Sequence, residues 1–369
     1  MDREQFIETQ VAFQFGSCSA EPKVGLAELA RTGAETRPSL AFHDPGTGSF
    51  VPEDRGVGLA MDRHGRWQVS LPQEALPGRK MKANRKADLL TGLYQSKLAS
   101  PVLMDMNDAV HSSNAFPTFQ YNRQSGAKNS ILWPHNRVHD LAKGALCSAP
   151  DPAEPRLRDK KPGLVWRGSL RGFSRLGAAP ANIQGPLKAF LDGRTDNAKL
   201  LSHLKTVPRY AFVMRYFRQQ GFDVGLTRPK RGLDALQAPD VARYAGAFMA
   251  PEEQLHHRYQ IAIQGTDVAT NFAWLLGTNS VILREPYSWQ VFFDGHFHPW
   301  EHYVPVAVDF SDVPEKIAWC EANLDACQAM IDRRHELVPL LLDGDVRKEA
   351  LRRVVERYEN FYAHWEKTR

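Results

Sequence analysis

Three stretches of this chain hold residues that could bind or transfer a charged group. Trp166-Arg167-Gly168-Ser169, followed by Arg171 and Arg175, puts three guanidinium groups at or just past the end of an apolar run, Gly163–Gly168. Guanidinium binds phosphate bidentately and keeps its charge, so this is a candidate diphosphate clamp, although surface arginines are common and the run alone does not decide. Gly265-Thr266-Asp267-Val268-Ala269-Thr270-Asn271 follows the apolar run that opens at His257, and places polar groups just where a helix begins. Asp108 follows the short apolar run Pro101–Met106. A carboxylate there can serve as a base, but such residues as often only terminate a strand.

Other candidates carry less. His296, His298 and His302 lie close in sequence, but no carboxylate or cysteine completes a ligand set, so an aromatic-rich loop packing on a sheet is the better reading. Asp343-Gly344-Asp345 has the spacing of a manganese-binding pair; between two helical patterns, Asp345 reads instead as the N-cap of the helix from Val346 onward. Trp289–Phe293 and Trp300–Tyr303 could wall a sugar site, but core packing is favoured. No GxxxxGK[ST] occurs, no GxGxxG marks a strand–helix junction, and GxSxG and HExxH are missing.

The elements that must position these groups read as α/β. From His257 to Pro305 the order is strand, loop, helix, strand, loop, the unit on which nucleotides bind in α/β enzymes. Pro101–Met106, Phe116–Tyr121 and Ser130–Trp133 read as strands, and Asn84–Leu98 and Leu200–Gln220 as largely helical. Residues 34–80 are loop-rich, and the Pro- and charge-rich stretch 147–162 is the best domain break. The expected organisation is a first domain at 1–155, a second at 156–345, and a helix over 346–369 packing on the first. That helix places Leu351, Val354, Val355, Tyr358, Phe361, Tyr362 and Trp365 on one broad face.

Composition sets bounds. The 369 residues, 43% hydrophobic and 24% charged, suit a soluble two-domain protein. No apolar run approaches the ~18–20 residues that span a bilayer, and the first residues lack a signal-peptide pattern, so a cytoplasmic location is expected. The net charge of +5 is modest. Its clusters at Arg79–Lys86, Arg156–Lys161 and Arg228–Arg231 read first as solvated loops and second as attraction to sugar nucleotides, lipid phosphates or a membrane surface. No nucleic-acid module is recognisable. The four cysteines are scattered; Cys320 and Cys327 are expected on one helix, about 10 Å apart, too far to pair.

Taken together, LVWRGS at 164–169, the HRYQIAIQG, DVATN and Trp run, SVIL, and the FF and PWEHYVPV close resemble glycosyltransferase family 90 in order and spacing. The DVATN loop looks most like its bacterial, lipopolysaccharide-modifying branch. VLMDMND, PTFQYNR and SILWP, over 101–134, carry a thinner resemblance, and residues 1–80 carry none.

The resemblance implies a GT-B fold, two Rossmann-like domains facing a cleft. It further implies inverting transfer from a UDP-sugar without a bound metal or other cofactor. The family's base falls on Asp108, its pyrophosphate-binding motif on Arg167, Gly168, Ser169 and Arg175, and its nucleotide-sugar loop on Gly265, Thr266, Asp267, Val268, Ala269, Thr270 and Asn271. Animal members carry an arginine where this chain has Asn271, which leaves one phosphate contact to Arg175 or to the helix N-terminus. The expected partners are a UDP-sugar and a glycan or lipid-linked glycan acceptor, with peripheral membrane contact and no nucleic acid. The competing classes are a non-catalytic nucleotide- or carbohydrate-binding protein on the same fold and a nucleotide-dependent sulfo- or phosphotransferase.

Overall fold

The computed structural model describes residues 1–19, 25–37, 39–51, 58–70, 77–108, 113–135, 147–174, 176, 181–229, 232–286 and 288–368. The chain divides into two compact units: Met1–Ala145 with Ser288–His296 and Pro339–Arg369, and Leu146–Tyr287 with Phe297–Val338. Each is built on a five-stranded sheet. The strands of these two sheets are numbered here in chain order.

The first unit holds β1 (Leu40–His43), β2 (Phe50–Val51), β3 (Val102–Asp105), β4 (Thr118–Gln120) and β5 (Ser130–Leu132), in the order β2-β1-β3-β4-β5. β3, β4 and β5 are parallel, while β1 runs antiparallel to both β3 and β2. The sheet is therefore mixed rather than fully parallel. Every residue of β3 to β5 is buried, which explains their unbroken apolar or small-polar runs.

The helix Gly344–Thr368 closes this unit. Val346, Ala350, Val354, Val355, Tyr358, Tyr362 and Trp365 are buried at helical spacing. Tyr358 stacks edge-on to Phe119 and donates to the carbonyl of Pro101 at 2.6 Å. Glu359 accepts the backbone N–H groups of Ala99 and Ser100 at 2.8 and 2.9 Å. The helix thus grips the turn that leads into β3. Its N-terminus is capped by Asp343, whose Oδ1 accepts from Asp345 and Val346 N–H at 2.7 and 3.1 Å, so the cap lies two residues before the Asp345 expected from sequence. Trp289, Phe292, Phe293 and His296 are buried in the same unit, and His296 stacks on Phe6 at 3.8 Å.

The second unit holds β6 (Lys161–Gly168), β7 (Phe222–Leu226), β8 (His257–Ala262), β9 (Val281–Arg284) and β10 (Val304–Pro305). All pairings are parallel, in the order β7-β6-β8-β9-β10. The chain goes from β6 to one side, then returns to β6's other side with β8, so the topological switch point lies between β6 and β8. A register shift in that pairing is accommodated at Gly163, whose φ is +110° and where a Cβ would lie 2.9 Å from the Gly221 carbonyl oxygen. Trp166, Tyr210, Phe212, Tyr259 and Phe310 fill the core.

Two basic clusters expected as solvated loops are in part interior. Arg85 and Lys86 lie in the helix Pro77–Gln95 and are 5% and 7% exposed. Lys160 is buried in an ion pair with Glu154 and donates to Ser280 Oγ at 3.0 Å. Cys320 and Cys327 do not share a helix. Asn323 (φ −132°, ψ 46°) breaks the run into Val313–Ala322 and Leu324–Leu342, and this fold-back brings Cys327 Sγ to 3.8 Å from the Cys320 carbonyl. All four cysteines are free. Among the described residues no helix is long and apolar enough to cross a membrane.

Candidate active site

In the second unit, the switch point gathers two loops that the sequence marked separately. One leaves β6 at Gly168-Ser169; the other leaves β8 and runs from Gly265 to Asn271. They touch: a Cβ on Gly172, whose φ is +129°, would lie 3.0 Å from the Gly265 carbonyl oxygen. Gly265 N–H turns back to the Val268 carbonyl at 3.4 Å, Asp267 Oδ1 accepts from Val268 N–H at 2.7 Å, and a short helix follows at Thr270–Leu275. Thr266 and Thr270 border that turn, and Val268 and Ala269 are buried beneath it. Asn271 donates Nδ2–H to the Ile261 carbonyl at 2.9 Å, so its amide ties the loop to the end of β8.

The fastener between the loops is Arg209, which sequence reasoning missed. From the helix Pro208–Tyr216 its Nη1 donates to the Ser169 carbonyl at 3.0 Å, Nε to Gln264 at 3.2 Å and Nη2 to Ile263 at 3.4 Å. A Cβ on Gly265 would sit 2.9 Å from Nη2, so a side chain there would push the guanidinium aside. Burial pulls the Arg209 guanidinium down to about 10, against the opposing effect of Glu285 and Asp267, so it stays charged at neutral pH. A signal existed. Arg209 stands in the first turn of its helix, where the dipole disfavours a cation. A fixed positive charge there calls for a local reason.

Arg167 is engaged elsewhere. Its guanidinium pairs with Asp223 Oδ1 at 2.6 Å and donates to the carbonyls of Asp223, Ala247 and Trp166 at 2.7, 2.9 and 3.1 Å. These bonds tie β6 to β7 and to the chain beyond it. Arg171 lies against Gly232, whose Cβ would fall 3.1 Å from Nη1. Arg175 lies outside the described residues.

In the first unit, Asp108 sits three residues past the end of β3, in a bend. Its Oδ1 accepts from Arg85 Nη1 at 2.7 Å and from the Tyr121 hydroxyl at 2.5 Å. Arg85 also donates to the Met106 carbonyl at 3.0 Å and lies over the Tyr121 ring at 5.2 Å, and His135 meets that ring edge-on at 5.4 Å. Burial pushes the Asp108 carboxyl up, but Arg85, the Tyr121 hydroxyl and His135 together outweigh it and hold the group below the usual carboxylate range. Asp108 is thus an ionised carboxylate, 45% exposed at its side chain, on a rigid support. One turn back, Asp105 is buried, paired with Arg37 at 2.6 Å, and its Oδ1 accepts Asn107 N–H at 3.3 Å. That pair anchors the bend from below.

Among the described residues no group of three or more His, Cys, Asp or Glu could hold a metal ion. His296 Nε2 bonds to Gln10 at 2.8 Å, and His302 Nδ1 accepts from His298 N–H at 3.0 Å.

Comparison with known proteins agrees with the resemblance read from the motifs. Residues 238–362 match the model of Glycosyl transferase family 90, a span that contains the whole 265–271 loop. The chain is 34% identical over 89 residues to the O-glucosyltransferase LpsA of Dichelobacter nodosus, covering 24% of this chain and 28% of that protein. It is 31% identical over 67 residues to human Protein O-glucosyltransferase 3, covering 18% and 13%. It is also 28% identical over 173 residues to an uncharacterized protein, 035R, of Invertebrate iridescent virus 3, covering 44% and 15%. The matched stretches thus span less than a third of each relative's own length.

Proposed function

We propose, for a chain whose residues 238–362 match glycosyl transferase family 90, that it is a glycosyltransferase. In this reading it moves a sugar from a UDP-sugar to a hydroxyl of a surface glycan such as lipopolysaccharide core. The transfer inverts the anomeric centre and uses no bound metal, with Asp108 as general base. The observation that carries the reading is the position of the 265–271 loop: it lies within the family match and at the switch point of a parallel sheet, where α/β folds bind nucleotides.

Chemically, the reading is coherent. An acceptor hydroxyl is too weak an acid to attack unaided near neutral pH. A positioned carboxylate taking its proton as the bond forms is worth roughly 10²–10⁴ in rate. Asp108, ionised and partly exposed, suits that role. The leaving diphosphate gains negative charge beside the two loops that Arg209 joins, and a fixed cation with preorganised backbone stabilises it without reorganisation. Such charge does the work for which other enzymes use a divalent ion. Asp267 and Thr270 carry groups suited to ribose or sugar hydroxyls. Arg167 supports this site through β6 and β7. A lipid-linked acceptor at the inner face of the cytoplasmic membrane, met peripherally, completes the reading.

The test is thermal unfolding with UDP, GDP, ADP and CMP, each in large excess and without added metal. A ligand at ~100 times its Kd adds about 2.7 kcal/mol, a rise of several degrees for domains of this size. A shift with UDP alone is expected. A shift with another nucleotide alone reassigns the donor.

A further inference from the structure

We propose that Tyr121 is a positioning residue for Asp108, fixing which carboxylate oxygen receives the acceptor's proton; the inference rests on the reading of Asp108 as the base. Two donors converge on one oxygen. The Tyr121 hydroxyl and Arg85 Nη1 both bond to Oδ1, at 2.5 and 2.7 Å, and among the described residues no bond reaches Oδ2. Each carboxylate oxygen has about two lone-pair sites, so Oδ1 is filled and Oδ2 is left for the substrate.

The two donors cannot readily leave. Tyr121 is 4% exposed and Arg85 5%, whereas the Asp108 side chain is 45% exposed. The Tyr121 ring is covered by the Arg85 guanidinium on one side and met edge-on by His135 on another. The three charged or titratable groups facing Asp108 therefore come from three different elements: the helix Pro77–Gln95, the chain after β4 and the chain after β5. Moving any one means breaking a buried contact.

In the transfer step, the acceptor's O–H proton passes to Oδ2. The acceptor oxygen bonds to the anomeric carbon, and the bond from that carbon to the diphosphate oxygen breaks, its electron pair leaving with the diphosphate. Asp108 ends as a neutral acid. The Tyr121 hydroxyl bond favours the ionised form and so keeps the base available at lower pH, in line with the direction in which Asp108 is held.

Tyr121→Phe deletes one bond and keeps the ring. The expected result is that the acid limb of kcat/KM moves to higher pH, with activity below the limb falling about tenfold per pH unit moved. Replacing Tyr121 with 3-fluorotyrosine, a stronger donor of nearly the same shape, should move the limb the other way, and it serves if the phenylalanine variant folds poorly. Asp108→Asn, assayed alongside, separates the two ideas. If it transfers sugar like the wild type, the base reading itself fails. If it is inactive while neither Tyr121 variant moves the limb, the role given to Tyr121 is overturned and the base reading stands.

Discussion

Arg209 Nη1 lies 3.0 Å from the carbonyl oxygen of Ser169, forty residues away in sequence, and the same guanidinium also holds Ile263 and Gln264. One half-buried side chain therefore fixes the spacing of the two loops at the switch point. Arg209→Lys cannot reach three carbonyls at once. Each buried acceptor left without a partner costs about 1–3 kcal/mol. The variant should lose several degrees of thermal stability, and its affinity for the stabilising nucleotide should drop at least about tenfold, more than the stability change alone accounts for. Titration calorimetry with UDP checks it, and wild-type affinity would show that the loop spacing does not depend on this residue.

Asp108→Asn keeps the size of the side chain and removes its basicity. Transfer should fall by roughly 10²–10⁴ while the nucleotide-dependent rise in melting temperature is retained, because Asp108 belongs to a different unit from the 265–271 loop. Product formation and thermal unfolding, measured on the same preparation, check both halves.

Acid stability should also report on Asp108. Its folded-state pKa is lowered from the ordinary 3.8. A depressed carboxyl contributes stability above its unfolded pKa and loses it as pH falls through the folded value. Between about pH 5 and pH 2, the melting temperature of the wild type should therefore decline more steeply than that of Asp108→Asn. Parallel curves for the two proteins would mean that Arg85 and Tyr121 do not favour the charged form.

The Glu154–Lys160 pair predicts a third kind of response. Both side chains are essentially inaccessible, at 2% and 0%, and Glu154 also accepts the Asn279 N–H at 2.9 Å. Removing one partner leaves a buried charge, at a cost of about 3–5 kcal/mol, whereas replacing both with apolar groups costs far less. Urea unfolding of Glu154→Leu, Lys160→Met and the double variant checks this; the double variant should be more stable than either single one.

Much of this was legible in the sequence. The runs at 101–106, 163–168 and 257–262 hold the strands Val102–Asp105, Lys161–Gly168 and His257–Ala262, whose buried stretches are mostly apolar, as parallel strands covered on both faces require. The 265–271 loop stood out because polar residues at a strand–helix junction have few other uses. What could not be read is what lies underneath. Arg85, Lys160 and Arg209 look like surface cations, and only the fold shows the carboxylate or carbonyls that each one meets. The antiparallel placement of β1 beside β3 was equally hidden, since a short buried run is the same in either direction. A helical stretch ending at Asn323 is legible, and it is the placement of Cys320 and Cys327 on one helix across that residue that the structure overturns.

The last helix of the chain belongs to the unit that begins it. Pro101, Phe116 and Phe119 are covered by Tyr358, Tyr362 and Trp365, and Tyr358 is translated 257 residues after Pro101. The second unit has all of its strands in hand long before that point. The unit that is begun first is therefore completed after the second, and the turn leading into β3 gains its support from Tyr358 and Glu359 only once the second unit's chain has been made.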